Sequence, residues 1–135
     1  MYKITVDRGH ALIKLEMRAM LDVADAARLV SELIEQVAEA KFESYALILD
    51  IAECPVQSQD MIAAMGQHLT RMKRVRAIAI VTGTMLARLQ VRRIFSQPFT
   101  RFTSTYDEGL RWVLSGIEPG ALTTAGPAQE KLSES

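Results

Sequence analysis

Tyr45–Met61 reads YALILDIAECPVQSQDM, and the fold turns on how this stretch is understood. Its first seven residues are apolar apart from Asp50, with no alternation between wet and dry sides, the pattern of a strand buried on both faces. Glu53-Cys54-Pro55 then breaks the run, because Pro55 cannot donate to a ladder. Ser58 is a suitable N-cap for the helical pattern that follows. In open α/β domains, the loop between such a strand and the next helix is the usual place for a site.

Downstream, residues 59–73 put Met61, Ile62, Met65, Leu69 and Met72 on one side of a helix. Residues 77–82 (AIAIVT) repeat the doubly buried strand pattern, and Gly83 ends it. The spacing predicts a third helix over 84–95, with Leu86, Leu89, Ile94 and Phe95 inward and Arg88, Arg92 and Arg93 outward. Pro98 stops it, and 99–104 make a short edge strand. Thr105 caps a last helix, Glu108 completes a capping box, Leu110, Val113 and Leu114 point inward, and Gly116 is the stop.

Upstream of the opening stretch, residues 2–7 alternate as a half-buried strand. Gly9 offers the positive φ of a hairpin turn, and 11–16 form the return strand. Asp22 caps a helix over 23–40, with Asp25 in its first turn. Val23, Ala26, Ala27, Val30, Leu33, Ile34 and Val37 make its apolar stripe, and Glu32, Glu35 and Glu39 its outer face. The order β-β-α-β-α-β-α-β-α implies an α/β domain: a mixed four- to five-stranded sheet opened by a hairpin, with four helices. The domain spans residues 1–117. The Pro, Gly, Ser and Glu-rich segment 118–135 is expected to be a disordered tail.

With the resemblance resting on named residues, three features are similar to the SpoIIAA-like family. The family includes the STAS domains and stand-alone STAS/SEC14-type bacterial proteins. The features are the hairpin before the first helix, Leu47-Ile48-Leu49-Asp50-Ile51 leading into a loop and helix, and the ending Thr105-Tyr106-Asp107-Glu108-Gly109-Leu110-Arg111-Trp112-Val113. The last resembles the family's "T-x-D-E-A-x-x-W-L" closing helix, and the likeness covers about residues 2–115. It implies a SpoIIAA-like fold and a regulatory, protein-interaction role of the anti-anti-sigma-factor kind. That family carries an Asp-Ser-Ser-Gly-like stretch at the second helix, where a serine is phosphorylated. The counterpart here, Gln57-Ser58-Gln59-Asp60-Met61, has one serine and no glycine. Ser58, Gln59 and Asp60 are thus the candidate phospho-acceptor or loop site; the usual phosphoswitch is expected to be absent, and Ser58 is read as a cap in preference to a phospho-acceptor.

Net charge is zero, yet its distribution is uneven. Residues 1–60 carry 11 acids against 6 bases, residues 61–106 carry 8 bases and no acid, and residues 107–135 carry 5 acids against 2 bases. Arg71, Lys73, Arg74, Arg76, Arg88, Arg92 and Arg93 therefore form a candidate patch for an anionic partner: an acidic protein, an anionic surface or a small phosphate-bearing ligand. Nucleic acid is not expected, since no aromatic platform is interleaved with the arginines. The two histidines, His10 and His68, lack metal-ligand spacing, and Cys54 stands alone. No catalytic constellation, cofactor motif or metal site is expected, and the reading is of a non-enzyme. No stretch has the length of a signal peptide core or a membrane span, so a cytoplasmic protein is expected. The alternative function is binding of a small apolar or lipid-like ligand near Met61, Met65 and Met72. A homodimer is a candidate assembly, through the edge strand and the uneven charge.

Overall fold

A computed structural model of the protein describes residues 2–19, 21–53, 60, 63–64, 67, 73–92 and 98–119. Five strands, β1 (Tyr2–Asp7), β2 (Leu12–Met17), β3 (Tyr45–Ile51), β4 (Val75–Thr82) and β5 (Thr100–Thr103), form one sheet in that spatial order. β1 runs antiparallel to β2, and every later pair is parallel. This is the mixed α/β sheet the sequence pattern predicts, with β3 at its centre. The helices are α1 (Val23–Ala40), α2 (Met85–Arg92) and α3 (Tyr106–Ser115). The described residues do not carry the expected count of four. The segment expected to form the second helix lies outside them, except for helical Asp60, Ala63, Ala64 and Gln67 and non-helical Lys73.

The opening hairpin turns differently from expectation. Gly9 keeps a negative φ, and Ala11 takes the left-handed conformation instead, at φ 48°. The loop is tied from several directions. Asp7 accepts from the His10 backbone N–H at 3.2 Å, its other oxygen lies 2.8 Å from His10 Nδ1, and Ala46 N–H donates to the Ala11 carbonyl at 2.9 Å. The bond to β3 fixes where the chain must turn, so long-range pairing overrides the local preference of glycine. The His10 side chain beside it holds the Asp7 carboxyl below its usual range.

A reciprocal cap starts α1: Asp25 N–H donates to Asp22 Oδ1 at 2.7 Å, and Asp22 N–H donates to Asp25 Oδ2 at 3.3 Å. It ends at Lys41, left-handed at φ 58°. Its buried line is Ala26, Leu29, Val30 and Leu33. Val23, Ala27 and Ile34, expected in the stripe, face solvent instead; Val23 is 49 % and Ile34 52 % exposed. The apolar arc of this helix is wider than the strip of sheet that meets it, so one margin stays wet.

Side chains of β3 alternate between two cores. Tyr45, Leu47, Leu49 and Ile51 join Ile13, Leu15, Ile78, Ile80 and the buried line of α1. Ala46 and Ile48 join Leu12, Ala79, Val81 and Val113 under α3. A fully buried Leu or Ile contributes about 1.5–3 kcal/mol, so the α1 side, with more of them, dominates the stability. On the other face α3 comes close because the contact is built of small groups. A Cβ added at Gly109 would sit 3.1 Å from Ala79 Cβ. Leu114, expected inward, is instead 38 % exposed; α3 buries Gly109 and Val113 against the sheet, with Tyr106, Leu110 and Trp112 half-buried beside them.

Candidate functional site

β2, β3, β4 and β5 all end at one rim, at Met17, Ile51, Thr82 and Thr103. The turns after β3 and β4 press together there. The position a Cβ would take at Gly83 lies 2.3 Å from the Ala52 carbonyl oxygen, so no larger residue fits without moving one of the turns. Asp50, at the end of β3, accepts from the Ala52 N–H at 3.2 Å. This is the loop-stabilising role its position suggests rather than that of a base.

Beside that turn, Glu16, Met17, Arg18, Asp50, Ala52 and Glu53 line a small cleft. Its charges are mutually occupied. Arg18 donates to Glu53 at 2.9 Å and to Glu16 at 3.1 Å, and Lys14 Nζ lies 3.6 Å from Glu16. The Arg18 hydrogen bond, with the nearby Lys14 charge, holds the Glu16 carboxyl below its usual range. Lys14 also lies over the Tyr106 ring, 4.0 Å from its centre. A carboxylate kept ionised and bonded to a guanidinium is a poor proton donor or acceptor at neutral pH. Among the described residues no three His, Cys, Asp or Glu side chains gather as metal ligands.

Of the residues singled out in the sequence, Ser58, Gln59, Arg71 and Arg93 lie outside the described residues, as do Cys54, His68, Met61, Met65 and Met72. Asp60 is helical and exposed. The described basic residues form two groups. Lys73, Arg74 and Arg76 are exposed at the start of β4, where Arg74 donates to the Phe42 carbonyl at 3.3 Å and Arg76 to the His10 carbonyl at 3.1 Å. Arg88 and Arg92 lie past the other end of β4, roughly 20 Å away at the rise of a strand. Arg101, from the same acid-free run, is neutralised by Glu118 at 2.8 Å and stacks over Trp112, 4.3 Å from the ring centre.

The second group has the features of a docking face. Met85, Arg88, Leu89 and Arg92 follow i, i+3, i+4, i+7 spacing, so they share one stripe of α2. Met85 is 69 % and Leu89 49 % exposed. Leu89 was expected to point inward; the helix is rotated so that Arg88, half-buried, takes the place nearer the sheet. Arg88 Nε donates to Thr82 Oγ1 at 3.4 Å, and the guanidiniums of Arg88 and Arg92 each lie 5.8 Å from the centre of the Phe102 ring. Phe102 belongs to β5 and packs against the α1-side core, so it holds both cations from below. Among the described residues neither arginine makes an ion pair. Sequence reasoning missed Phe102 because it is separated from the arginines by Pro98 and a strand start. The i, i+4 repeat of Met85/Leu89 beside Arg88/Arg92 was the available signal.

No protein-family model matches the chain, and no curated protein matches it. Solved structures do. An uncharacterized protein of the DUF3478 family with a SpoIIAA-like fold, from Shewanella loihica PV-4, superposes with a TM-score of 0.64 at 18 % identity, over 83 % of this chain and 93 % of that one. The anti-sigma factor antagonist SpoIIAA, in its unphosphorylated form, superposes with a TM-score of 0.60 at 11 % identity, over 87 % of this chain and 98 % of its own. The chain therefore has a SpoIIAA-like fold, as the resemblance in its sequence implied.

Proposed function

We propose that this SpoIIAA-like domain is a non-enzymatic regulatory module that binds an acidic, partly apolar segment of another protein along α2. The observation that carries the reading is the stripe Met85, Arg88, Leu89, Arg92: two exposed apolar side chains beside two cations that have no ion-pair partner among the described residues, braced by Thr82 and Phe102. Arginine is enriched in protein-binding hot spots, and exposed apolar side chains rimmed by polar groups mark interaction surfaces. The rim supports the same reading by contrast, since its carboxylates are committed to Arg18 and to the Ala52 N–H rather than to chemistry. The anti-sigma factor antagonist of the same fold acts on a protein, which is consistent with this role. The module is proposed to work without a serine phosphoswitch, because the stretch around Ser58 lacks the family's paired serine and glycine.

Titration with an acidic amphipathic helical peptide tests this. Binding is expected at low salt, weakening as salt screens the contact and at least about tenfold in the Arg88→Glu/Arg92→Glu variant. Equal binding by wild type and variant, or no heat of binding at low salt, would sink the reading. A Ser58→Ala variant is expected to bind as wild type does.

A further inference from the structure

α1 also carries an exposed face that no described residue covers, and its chemistry complements that of α2. Val23, Ala27, Ser31, Ile34 and Ala38 fall on one exposed stripe, at i, i+4, i+8, i+11 and i+15. Glu35 and Glu39 lie along one edge of it, both exposed and without ion-pair partners among the described residues. Arg28, which lies between them around the helix, is taken by Asp25 at 2.9 Å. An apolar stripe of mostly small side chains edged by carboxylates is a counterpart to Met85 and Leu89 edged by Arg88 and Arg92.

The two helices sit on the same face of the sheet and at opposite margins of it. α1 packs on the Leu15–Leu47–Ile80 core and is tied to β1 by the Tyr2 hydroxyl bonded to Glu32. α2 stands over Phe102 of β5, whose ring joins that same core. A two-fold axis parallel to the strands, with these faces opposed, lays α1 of one protomer on α2 of its partner. The same operation lays α2 of the first on α1 of the second. The contact is isologous, formed twice, and closed, so it stops at two chains.

We infer that a second copy of this chain is an occupant of the α2 face, held by reciprocal α1–α2 pairing. The inference rests on the reading of α2 as a docking face and names its regulation: an acidic partner must displace the acidic helix of the other protomer.

Light scattering and sedimentation of the purified chain, at low and high ionic strength, provide the test. Wild type is expected to have the mass of two chains at low salt. Arg88→Glu/Arg92→Glu and Glu35→Arg/Glu39→Arg should each be monomeric, with self-affinity reduced about a hundredfold by like charges brought together. An equimolar mixture of the two variants restores both contacts and should return to the mass of two chains, which a general loss of folding could not produce. A Leu89→Ser substitution should weaken pairing without changing charge. A monomeric wild type at low salt, or variants that pair as wild type does, overturns the inference. The readouts separate the two ideas: a monomer that binds the acidic peptide refutes pairing alone, and a dimer indifferent to the peptide refutes the partner reading alone.

Discussion

Tyr45 sits at the foot of the central strand, 1 % exposed, and among the described residues its hydroxyl has no hydrogen-bond partner; burial pushes its ionisation up to about 12. The phenol must stay neutral in the folded state, while in the unfolded chain it ionises near 10. Its share of stability is therefore complete below pH 10 and is lost as pH rises from 10 towards 12, by on the order of 2–3 kcal/mol. Tyr45→Phe is expected to be neutral or to gain about 1 kcal/mol at pH 7, since it removes a buried polar group that has no hydrogen bond among the described residues. It should also flatten the alkaline limb of the stability curve, which urea melts across pH would show. Gly83 is the other position where one residue decides a local arrangement. Gly83→Ala puts a methyl against the Ala52 carbonyl and should lower stability by about 1–3 kcal/mol in the same melts, with the turn after β3 displaced. Neither effect could be read from residue type: an aromatic starting a strand and a glycine ending one are ordinary until their neighbours are known.

At the scale of elements, capping and periodicity were largely legible. Val23–Ala40 and Tyr45–Ile51 have the bounds that the sequence predicts, and Thr105 caps α3 by accepting the Glu108 N–H at 3.2 Å. The box there is not the expected one, because the Glu108 carboxylate reaches the Ser104 N–H at 3.1 Å instead of the capping residue's own. Thr105→Ala should cost about 1 kcal/mol, seen as a lower midpoint of thermal unfolding, since α3 is the helix that covers the second core. Rotations about helix axes were less legible. Val23, Ile34, Leu89 and Leu114 are apolar and at permitted spacings, yet exposed. Periodicity gives an apolar arc, and the docking angle on the sheet chooses which part of it is buried. Those four outward side chains matter because three of them, Val23, Ile34 and Leu89, stand on the two stripes proposed to meet.

For the molecule as a whole, the charge imbalance seen along the chain became an arrangement only when the sheet was assembled. β4 carries Arg74 and Arg76 to one rim, while Arg88 and Arg92 follow its other end, so one basic run becomes two separate groups. Among the described residues only the second lies beside exposed large apolar side chains, and both the partner titration and the pairing test act on it. By itself the sequence determined the class of the fold, the doubly buried centre at Tyr45–Ile51, the opening hairpin and the capped helices, because burial pattern and capping are carried by residues close together in the chain. The tertiary structure alone decided that Ala11 rather than Gly9 turns left-handed, that Ala52 and Gly83 touch, and that Phe102 stands beneath Arg88 and Arg92. Each of these depends on contacts between separate elements, and such contacts exist only once parallel strands have set distant turns side by side.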